Sequence, residues 1–278
     1  MNKVFLRKIY PYIDNGRKDI KWRRITDSEL DRMTSQTQKI ANCYLDSTRA
    51  VLCASEQGRE ILKKRIFVQT GNLDDPAYKF VFNVNGKDEP FRVDRNDYYS
   101  RPYYKIYDRY IEELLTGKLA DIFNGMPNIA MDIAVCKMVT KYPKEKEWFL
   151  RVYRQPIYEN LKCENNRPTK AFEWLTGMKP KFIIAEDGFK DKLSNHKEES
   201  IALLQKLSQL SPKNYSFIAM TGNQKAATIP KWHCMPVMFV KDSVELKDKR
   251  TDQGYKFTYE NFIDRFKSLV GIIWNDSK

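Results

Sequence analysis

The segment from residue 78 to residue 94 restricts the fold most, because it combines a period of two with a turn signal. In "YKFVFNVNGKDEPFRVD", large apolar residues occupy alternate positions from Phe80 to Val84 and again from Phe91 to Val93. The pair Asn-Gly between the two runs is typical of a tight turn that joins antiparallel strands. The sequence therefore predicts a β-hairpin here.

Helical patterns surround this hairpin. "NCYLDSTRAVLCAS" and "EQGREILKKRI" precede it, the second ending near Lys64. Helical spacing returns in "YYKIYDRYIEELLTG", in "TKAFEWLTGMKP", where Gly177 closes the helix, and in "EESIALLQKLSQL". Three or four strands are then predicted between residues 215 and 258, and a last helix from about Thr258 to Leu269. The order of helices, hairpin, helices and strands predicts an α+β fold.

We expect three parts in this chain. Residues 1–34 are predicted to form a basic N-terminal arm, and residues 35–180 a mainly helical lobe that contains the hairpin. Residues 181–278 are predicted to form a β-rich lobe with a C-terminal helix. With 42% hydrophobic and 13% aromatic residues in 278, the chain can bury a sizeable core.

The net charge of +13 raises the question of a polyanionic partner. Residues 1–24 carry eight basic groups and two acidic ones, which is about half of the excess, whereas charges of both signs are interspersed elsewhere. Net charge alone bears on solubility and non-specific binding. We therefore do not expect nucleic-acid binding, but the arm could bind an acidic partner.

The cysteines and the apolar runs exclude several classes of protein. Five scattered cysteines without a C-x-x-C pair indicate neither a disulfide framework nor a zinc cluster. No run approaches 18 apolar residues, and the N-terminus lacks the features of a secretory signal. We expect a protein made in the cytoplasm, without a membrane span, metal or cofactor.

Cys43 is the candidate nucleophile, because it stands where loop-like residues give way to a helical pattern. A helix N-terminus and a nearby imidazole both favour the reactive thiolate. The alternative is a buried structural thiol at a helix start. The other four cysteines lie in less suitable positions: Cys53 in mid-helix, Cys136 in an apolar run, Cys163 after a loop, and Cys234 on the strand face opposite His233.

Only two histidines are available as a base for Cys43. His196 lies in the charged stretch "SNHKEES", where a surface or capping role is expected. His233 lies at the entry to an apolar strand in "TIPKWHCMPVMFV", and we expect it to be the base. Its neighbour Trp232 either lines the site or packs in the core.

Five segments in this order resemble the catalytic core of the calpain family of papain-like cysteine peptidases. "QTQKIANCYL" resembles the start of the family's nucleophile helix, and the hairpin ends in the family's Val-Asp pair. The predicted helix that follows the hairpin and the segment "AFEWLTG" resemble the next two motifs. "IPKWHCMPVMFVKD" then stands where the family has its histidine strand. The resemblance runs from about residue 35 to about residue 265.

The resemblance implies a papain-like fold, with a cleft between the two lobes, and a role for each site residue. His233 corresponds to the catalytic histidine. Asp248, after the next strand, stands where calpains have the asparagine that orients the histidine, with Asp242 and Asp252 as lesser candidates. The acidic loops that bind calcium in calpains are not recognisable here, which agrees with the expectation of no metal.

The resemblance also implies an oxyanion hole made by the cysteine N–H and an upstream glutamine side chain. In calpains this glutamine lies six positions before the cysteine, and that position is Thr37 in this chain. Gln38 lies five positions before Cys43 and Gln36 seven, so that either requires an adjusted loop, and we prefer Gln38.

The favoured function is therefore a cysteine peptidase that forms a thioester at Cys43 and acts on a protein or peptide substrate. Deamidase or transglutaminase chemistry would use the same three residues. A non-catalytic protein that binds an acidic partner through its basic arm is the alternative outside enzymes. The compact, basic architecture would also suit a bacterial effector delivered into a host cell.

Overall fold

The computed structural model describes residues 21–35, 43–70, 77–94, 97, 127–142, 167–182, 197–221, 228–230, 233–249 and 251–274. Within these ranges, helices are combined with two antiparallel sheets, consistent with the α+β class. The helices are α1 (Asp27–Ser35), α2 (Cys43–Ala54), α3 (Glu56–Arg65), α4 (Pro127–Lys141), α5 (Arg167–Thr176), α6 (Lys197–Ser208) and α7 (Tyr259–Arg265).

The first sheet has four strands in the order β1-β2-β3-β4, and the second has six in the order β5-β10-β6-β7-β8-β9. The strands of the first sheet are β1 (Lys21–Arg24), β2 (Ile66–Thr70), β3 (Tyr78–Val84) and β4 (Lys87–Val93). Those of the second are β5 (Lys181–Phe182), β6 (Tyr215–Thr221), β7 (Cys234–Val240), β8 (Ser243–Lys247), β9 (Gly254–Thr258) and β10 (Phe266–Ile273).

The predicted hairpin is confirmed as strands β3 and β4. Asn85 and Gly86 both have positive φ, 53° and 81°, as a tight hairpin turn of this kind requires. The alternating apolar residues face the core, and the Phe82 ring lies 5.7 Å from the Phe91 ring across the strand pair. Cross-strand aromatic contacts of this kind stabilise a hairpin by roughly 0.2–1 kcal/mol each.

Two predicted helices end where the sequence indicated. Helix α3 ends at Arg65, one residue beyond the predicted end. Helix α5 ends at Thr176 and is followed by Gly177 at φ 76°, a conformation that favours glycine. The Gly177 N–H donates a hydrogen bond to the Glu173 carbonyl at 2.8 Å. Gly177 is therefore the C-terminal stop that the sequence predicted.

The six-stranded sheet is buried on both faces at its centre. Every residue of β6 is buried. Ile218 and Met220 face the core that contains α2 and the first sheet, whereas Phe217 and Ala219 face the core that contains α6 and α7. Helix α2 is thus packed on one face of this sheet, and the C-terminal helices cover the other.

Two segments differ from the sequence predictions. The last helix was predicted to reach Leu269, but α7 ends at Arg265, and residues 266–273 form β10 between β5 and β6. Within the segment predicted as an arm, residues 21–24 form β1, which pairs with β2, and α1 follows. Both segments acquire their structure from pairing or packing with distant residues, which no local pattern signals.

Among the helices of the described ranges, none has the length and the apolar character that crossing a bilayer requires. The predicted helix over residues 103–117 lies outside the described residues.

The unpredicted strand β10 generates a stability prediction, Gly271→Ala. A Cβ at Gly271 would lie 2.2 Å from the Ser216 carbonyl oxygen and 2.4 Å from the Phe217 ring, so β10 could not pair with β6 without moving. Overpacking of this kind destabilises a fold by roughly 1–3 kcal/mol, and we expect a loss of about 2 kcal/mol or more in denaturant unfolding.

Gly254→Ala is the matched control, because a Cβ at this strand glycine of the same sheet meets no atom of the described residues within 4 Å. We expect it to change the free energy of unfolding by less than about 1 kcal/mol. Equal stability of the two variants would contradict the assignment of β10 as a strand packed closely against β6.

Candidate active site

Helix α2 begins at Cys43 and is buried around most of its circumference. Its residues from Tyr44 to Arg49 are all buried, as are those from Val51 to Cys53. Ser47 donates a hydrogen bond from Oγ to the Cys234 carbonyl oxygen at 2.9 Å, which fastens the first turn of α2 to the start of β7. The N-terminus of this helix is therefore fixed against the six-stranded sheet.

A second polar contact fixes the other end of α2. Ser216 of β6 donates to the Val51 carbonyl oxygen at 2.9 Å and shares a hydrogen bond with Ser55 Oγ, also at 2.9 Å. The indole of Trp274 donates to the same Ser216 oxygen at 3.2 Å. Each buried hydrogen bond contributes about 1 kcal/mol, and together these contacts define how far along the sheet the helix lies.

The backbone of His233 is held on both sides by Thr221, at the end of β6. The His233 N–H donates to Thr221 Oγ1 at 2.8 Å, and the His233 carbonyl accepts from the Thr221 N–H at 3.0 Å. Thr221 Oγ1 also donates to the Pro230 carbonyl at 2.7 Å. The histidine, only 6% exposed, is therefore fixed in position just before β7 begins.

Asp248 meets His233 because of the hairpin formed by β7 and β8. These strands are antiparallel, with Val237 opposite Leu246, so the residue before β7 and the residue after β8 lie at the same end of the hairpin. His233 Nε2 and Asp248 Oδ1 are 2.8 Å apart, and Asp248 is 1% exposed. The carboxylate accepts the Nε2–H hydrogen bond in a site shielded from water.

The two alternative aspartates do not take this position. Asp242 and Asp252 occupy turns at φ 61° and 58°, where Asp is tolerated. Asp252 forms an exposed ion pair with Lys247 at 2.9 Å. Of the three aspartates considered from the sequence, Asp248 is the one that the structure hydrogen-bonds to His233.

The Cys43 sulfur lies beside the start of β7, where His233 is followed by Cys234, the first residue of the strand. The Cys234 N–H donates to Cys43 Sγ at 3.5 Å, and Cys43 packs against the core cluster that contains the Cys234 side chain. The expectation that Cys234 turns away from His233 is therefore wrong. His233 precedes the strand, so strict alternation does not apply to it, and Cys234 faces the core that contains α2.

These contacts lower the pKa of the Cys43 thiol well below its usual value. The hydrogen bond from the Cys234 thiol contributes most, burial opposes it, and the hydrogen bond and positive charge of His233 add to it. The Cys234 N–H contributes in the same direction. The position at a helix N-terminus also favours a thiolate.

The pKa of His233 moves the opposite way, to about 9. Burial opposes this rise, but the hydrogen bonds to Asp248 and to Cys43 outweigh it. Because Nε2 faces Asp248, Nδ1 is the ring nitrogen that remains for Cys43. A lowered thiol pKa beside a raised imidazole pKa favours a thiolate–imidazolium pair at neutral pH.

Sequence reasoning missed a group of buried charges next to the nucleophile. Asp46, one turn after Cys43, forms an ion pair with Arg49, and both side chains are buried. Burial raises the pKa of Asp46, and the charges of Arg49 and Lys249 oppose that rise. Lys249 also donates to the Thr34 carbonyl oxygen. The signal available in the sequence was the pair Asp46 and Arg49 at i and i+3.

The other residues considered from the sequence divide into two groups. Burial raises the pKa of Cys53 to about 12 and that of Cys136 well above its usual value, so neither is suited to be a nucleophile. Gln36, Gln38, Trp232, His196 and Cys163 lie outside the described residues. Within the described ranges, no group of three or more His, Cys, Asp or Glu side chains is arranged to hold a metal ion.

No protein-family model matches this chain, and no curated protein sequence matches it either. The interpretation of the site therefore rests on its own geometry.

The lowered pKa of Cys43 generates a prediction about alkylation. At pH 6, iodoacetamide should modify Cys43 more than about tenfold faster than Cys53 or Cys136, because Cys43 alone among these three carries an appreciable thiolate fraction. Mass spectrometry of the digested protein at several times gives the rate for each residue.

The variant His233→Gln isolates the contribution of the imidazolium. It should slow alkylation of Cys43 at pH 6 by about tenfold or more, with a smaller effect at pH 10, which is above the His233 pKa of about 9, so that the wild-type imidazole is itself mostly neutral there. Labelling of Cys43 no faster than that of the buried thiols would show that no thiolate is stabilised at this helix end.

Proposed function

We propose that this protein is a cysteine hydrolase of the papain-like, calpain-like type, which acts on protein or peptide amides by acyl transfer through Cys43. The observation that carries the proposal is the 2.8 Å hydrogen bond between Asp248 and His233, together with the Cys43 sulfur 3.5 Å from the backbone nitrogen of the next residue, Cys234. A nucleophile, a base and an oriented carboxylate in this order form the arrangement on which acyl transfer depends.

In the first half of the proposed reaction, the Cys43 thiolate attacks the carbonyl carbon of the substrate. The His233 imidazolium gives its Nδ1 proton to the leaving amine, and a thioester remains on Cys43. Asp248 keeps Nε2–H in its hydrogen bond during this transfer, so that Nδ1 stays directed at the reacting atoms.

In the second half, neutral His233 takes a proton from water through Nδ1, and the hydroxide attacks the thioester carbonyl. The acid is released, and the thiolate–imidazolium pair is restored. The Cys43 N–H, as the first helical residue, has no acceptor within the helix and is available to the substrate oxyanion. Gln38, or Gln36, is proposed as the second donor.

Two other uses of these residues remain as alternatives. Attack on a glutamine side-chain amide would give a deamidase, and capture of the thioester by an amine would give a transglutaminase. A protein that binds an acidic partner through its basic N-terminal segment would form no acyl-enzyme at all.

A library of proteome-derived peptides separates these functions in one experiment. Incubation followed by mass spectrometry would detect new peptide ends from a peptidase, conversion of Gln to Glu from a deamidase, and joined peptides from a transglutaminase. Cys43→Ala is the control and should abolish every product. Absence of all three products from a folded protein with a reactive Cys43 would favour the binding function.

Variants of Asp248 test the proposed line of hydrogen bonds. Asp248→Asn retains an acceptor for Nε2–H, so we expect a loss of turnover of about tenfold or less. Asp248→Ala removes the acceptor and should cost about 10²-fold or more. The melting temperature of each variant separates an effect on the site from an effect on folding. Turnover of the Ala variant equal to that of the wild type would assign the orientation of His233 to another group.

The pKa of His233 predicts the pH dependence of turnover. Activity requires the protonated imidazole, so kcat/KM should remain on a plateau through neutral pH and fall as the pH rises past about 9. Since Asp248 raises this pKa, Asp248→Asn should move the basic limb of the profile to lower pH. A basic limb that does not move would contradict this role of Asp248.

A further inference from the structure

Two cysteines lie next to each other at the proposed site, and the hydrolase mechanism uses only one of them. The Cys43 sulfur accepts a hydrogen bond from the Cys234 N–H at 3.5 Å, and Cys43 packs against the core cluster that contains Cys234. Neither cysteine is part of a disulfide. Ser47 holds the Cys234 carbonyl at 2.9 Å, so helix α2 and strand β7 keep the two residues adjacent although 191 positions separate them.

The exposure of the two side chains differs in a way that suits a sequential oxidation. Cys43 is partly exposed, whereas Cys234 is buried in the core against which Cys43 packs. A dissolved oxidant would therefore meet Cys43 first, and a partly exposed thiolate is the form of cysteine that peroxides oxidise. The buried Cys234 is then the neighbouring thiol that can react with the oxidised Cys43 sulfur, which is the role of a resolving cysteine.

We propose that Cys43 and Cys234 form a reversible disulfide under oxidation by hydrogen peroxide. In the first step, the Cys43 thiolate attacks a peroxide oxygen, the O–O bond breaks, and Cys43 becomes a sulfenic acid with release of hydroxide. In the second step, the Cys234 sulfur attacks the sulfenic sulfur, the S–O bond breaks, and water leaves with the Cys234 proton. In total, the peroxide is reduced to one hydroxide ion and one water molecule, and the Cys43 thiolate and the Cys234 thiol are oxidised to one disulfide.

The disulfide would store the nucleophile in a protected form. Cys43 could not attack a carbonyl while bonded to Cys234, and it would also be shielded from the irreversible sulfinic and sulfonic acids. A dithiol such as dithiothreitol would restore both thiols by exchange. The formation of the bond depends only on the two cysteines, whereas its effect on turnover rests on the proposed hydrolase function.

The test is oxidation of the full chain with a small excess of hydrogen peroxide, followed by alkylation of the remaining thiols and peptide mapping. We expect a mass loss of about 2 Da, for two hydrogens, and a cross-linked peptide pair that contains Cys43 and Cys234. Dithiothreitol should remove the cross-link and return any hydrolytic activity to its starting value.

Cys234→Ser and Cys53→Ser form a matched pair of variants, because each replaces one buried thiol with a hydroxyl. Cys53→Ser should form the same disulfide as the wild type. Cys234→Ser should instead carry Cys43 to the sulfinic acid, with a loss of alkylatable Cys43 that dithiothreitol does not reverse. Activities are compared with each variant's own untreated value.

Two results would overturn the proposal. One is a wild-type protein in which Cys43 is oxidised to the sulfinic acid without a cross-link to Cys234. The other is a Cys43 cross-link to a different cysteine at the same peroxide concentration. Because mapping needs no substrate, a protein that hydrolyses nothing can still form the disulfide, and an active hydrolase can still lack it.

Discussion

The packing of helix α2 against strands β6 and β7 is the contact on which the rest of the site depends. It joins Cys43, at the start of the helix, to residues 190 or more positions later in the chain. Apolar side chains supply most of the stabilisation, but they do not determine how the helix is placed along the sheet. The hydrogen bonds of Ser47 to the Cys234 carbonyl and of Ser216 to the Val51 carbonyl do so, because each is directional and buried.

The local elements could be predicted from the sequence because their signals are local. The Asn-Gly turn and the alternating residues around it specify β3 and β4, and Gly177 specifies the end of α5. Strand β10 could not be identified in this way. Its apolar run "SLVGII" suits a helix or a strand, and it becomes a strand because β5 and β6 pair with it on either side.

Strand β1 was missed for a related reason. Its sequence, "KWRR", is basic and mostly exposed, with no apolar alternation to signal a strand. It pairs with β2, and Arg23 forms two hydrogen bonds of 2.7 Å with the Glu29 carboxylate of α1. A paired guanidinium and carboxylate of this kind can attach a charged strand to a helix, but only the folded chain brings them together.

The sequence was enough to identify the residues of the candidate site, but not to predict how they are arranged in space. The shortage of histidines identified His233, and the resemblance to calpains pointed to Asp248. The distance between them follows from the register of β7 and β8, which no residue pattern in the chain states. The contact of Cys234 with Cys43 was not predicted, because Cys234 was placed on the face opposite His233 by extending the alternation of β7 to a residue that precedes the strand.

The charges around Cys43 explain how a thiolate can exist close to a buried carboxylate. The Asp46 carboxylate lies one turn from the sulfur, and the two negative charges oppose each other. Arg49 pairs with Asp46, and Lys249 adds a second positive charge, so two positive charges act against the negative charge that Asp46 places near the sulfur. The positive charge of the His233 imidazolium interacts with the Cys43 thiolate and with the Asp248 carboxylate. Lys249 follows Asp248 directly in the chain and also holds the Thr34 carbonyl at the end of α1. Two consecutive residues after β8 therefore act around the site. Asp248 orients His233, and Lys249 contacts helix α1, which precedes the nucleophile in the chain.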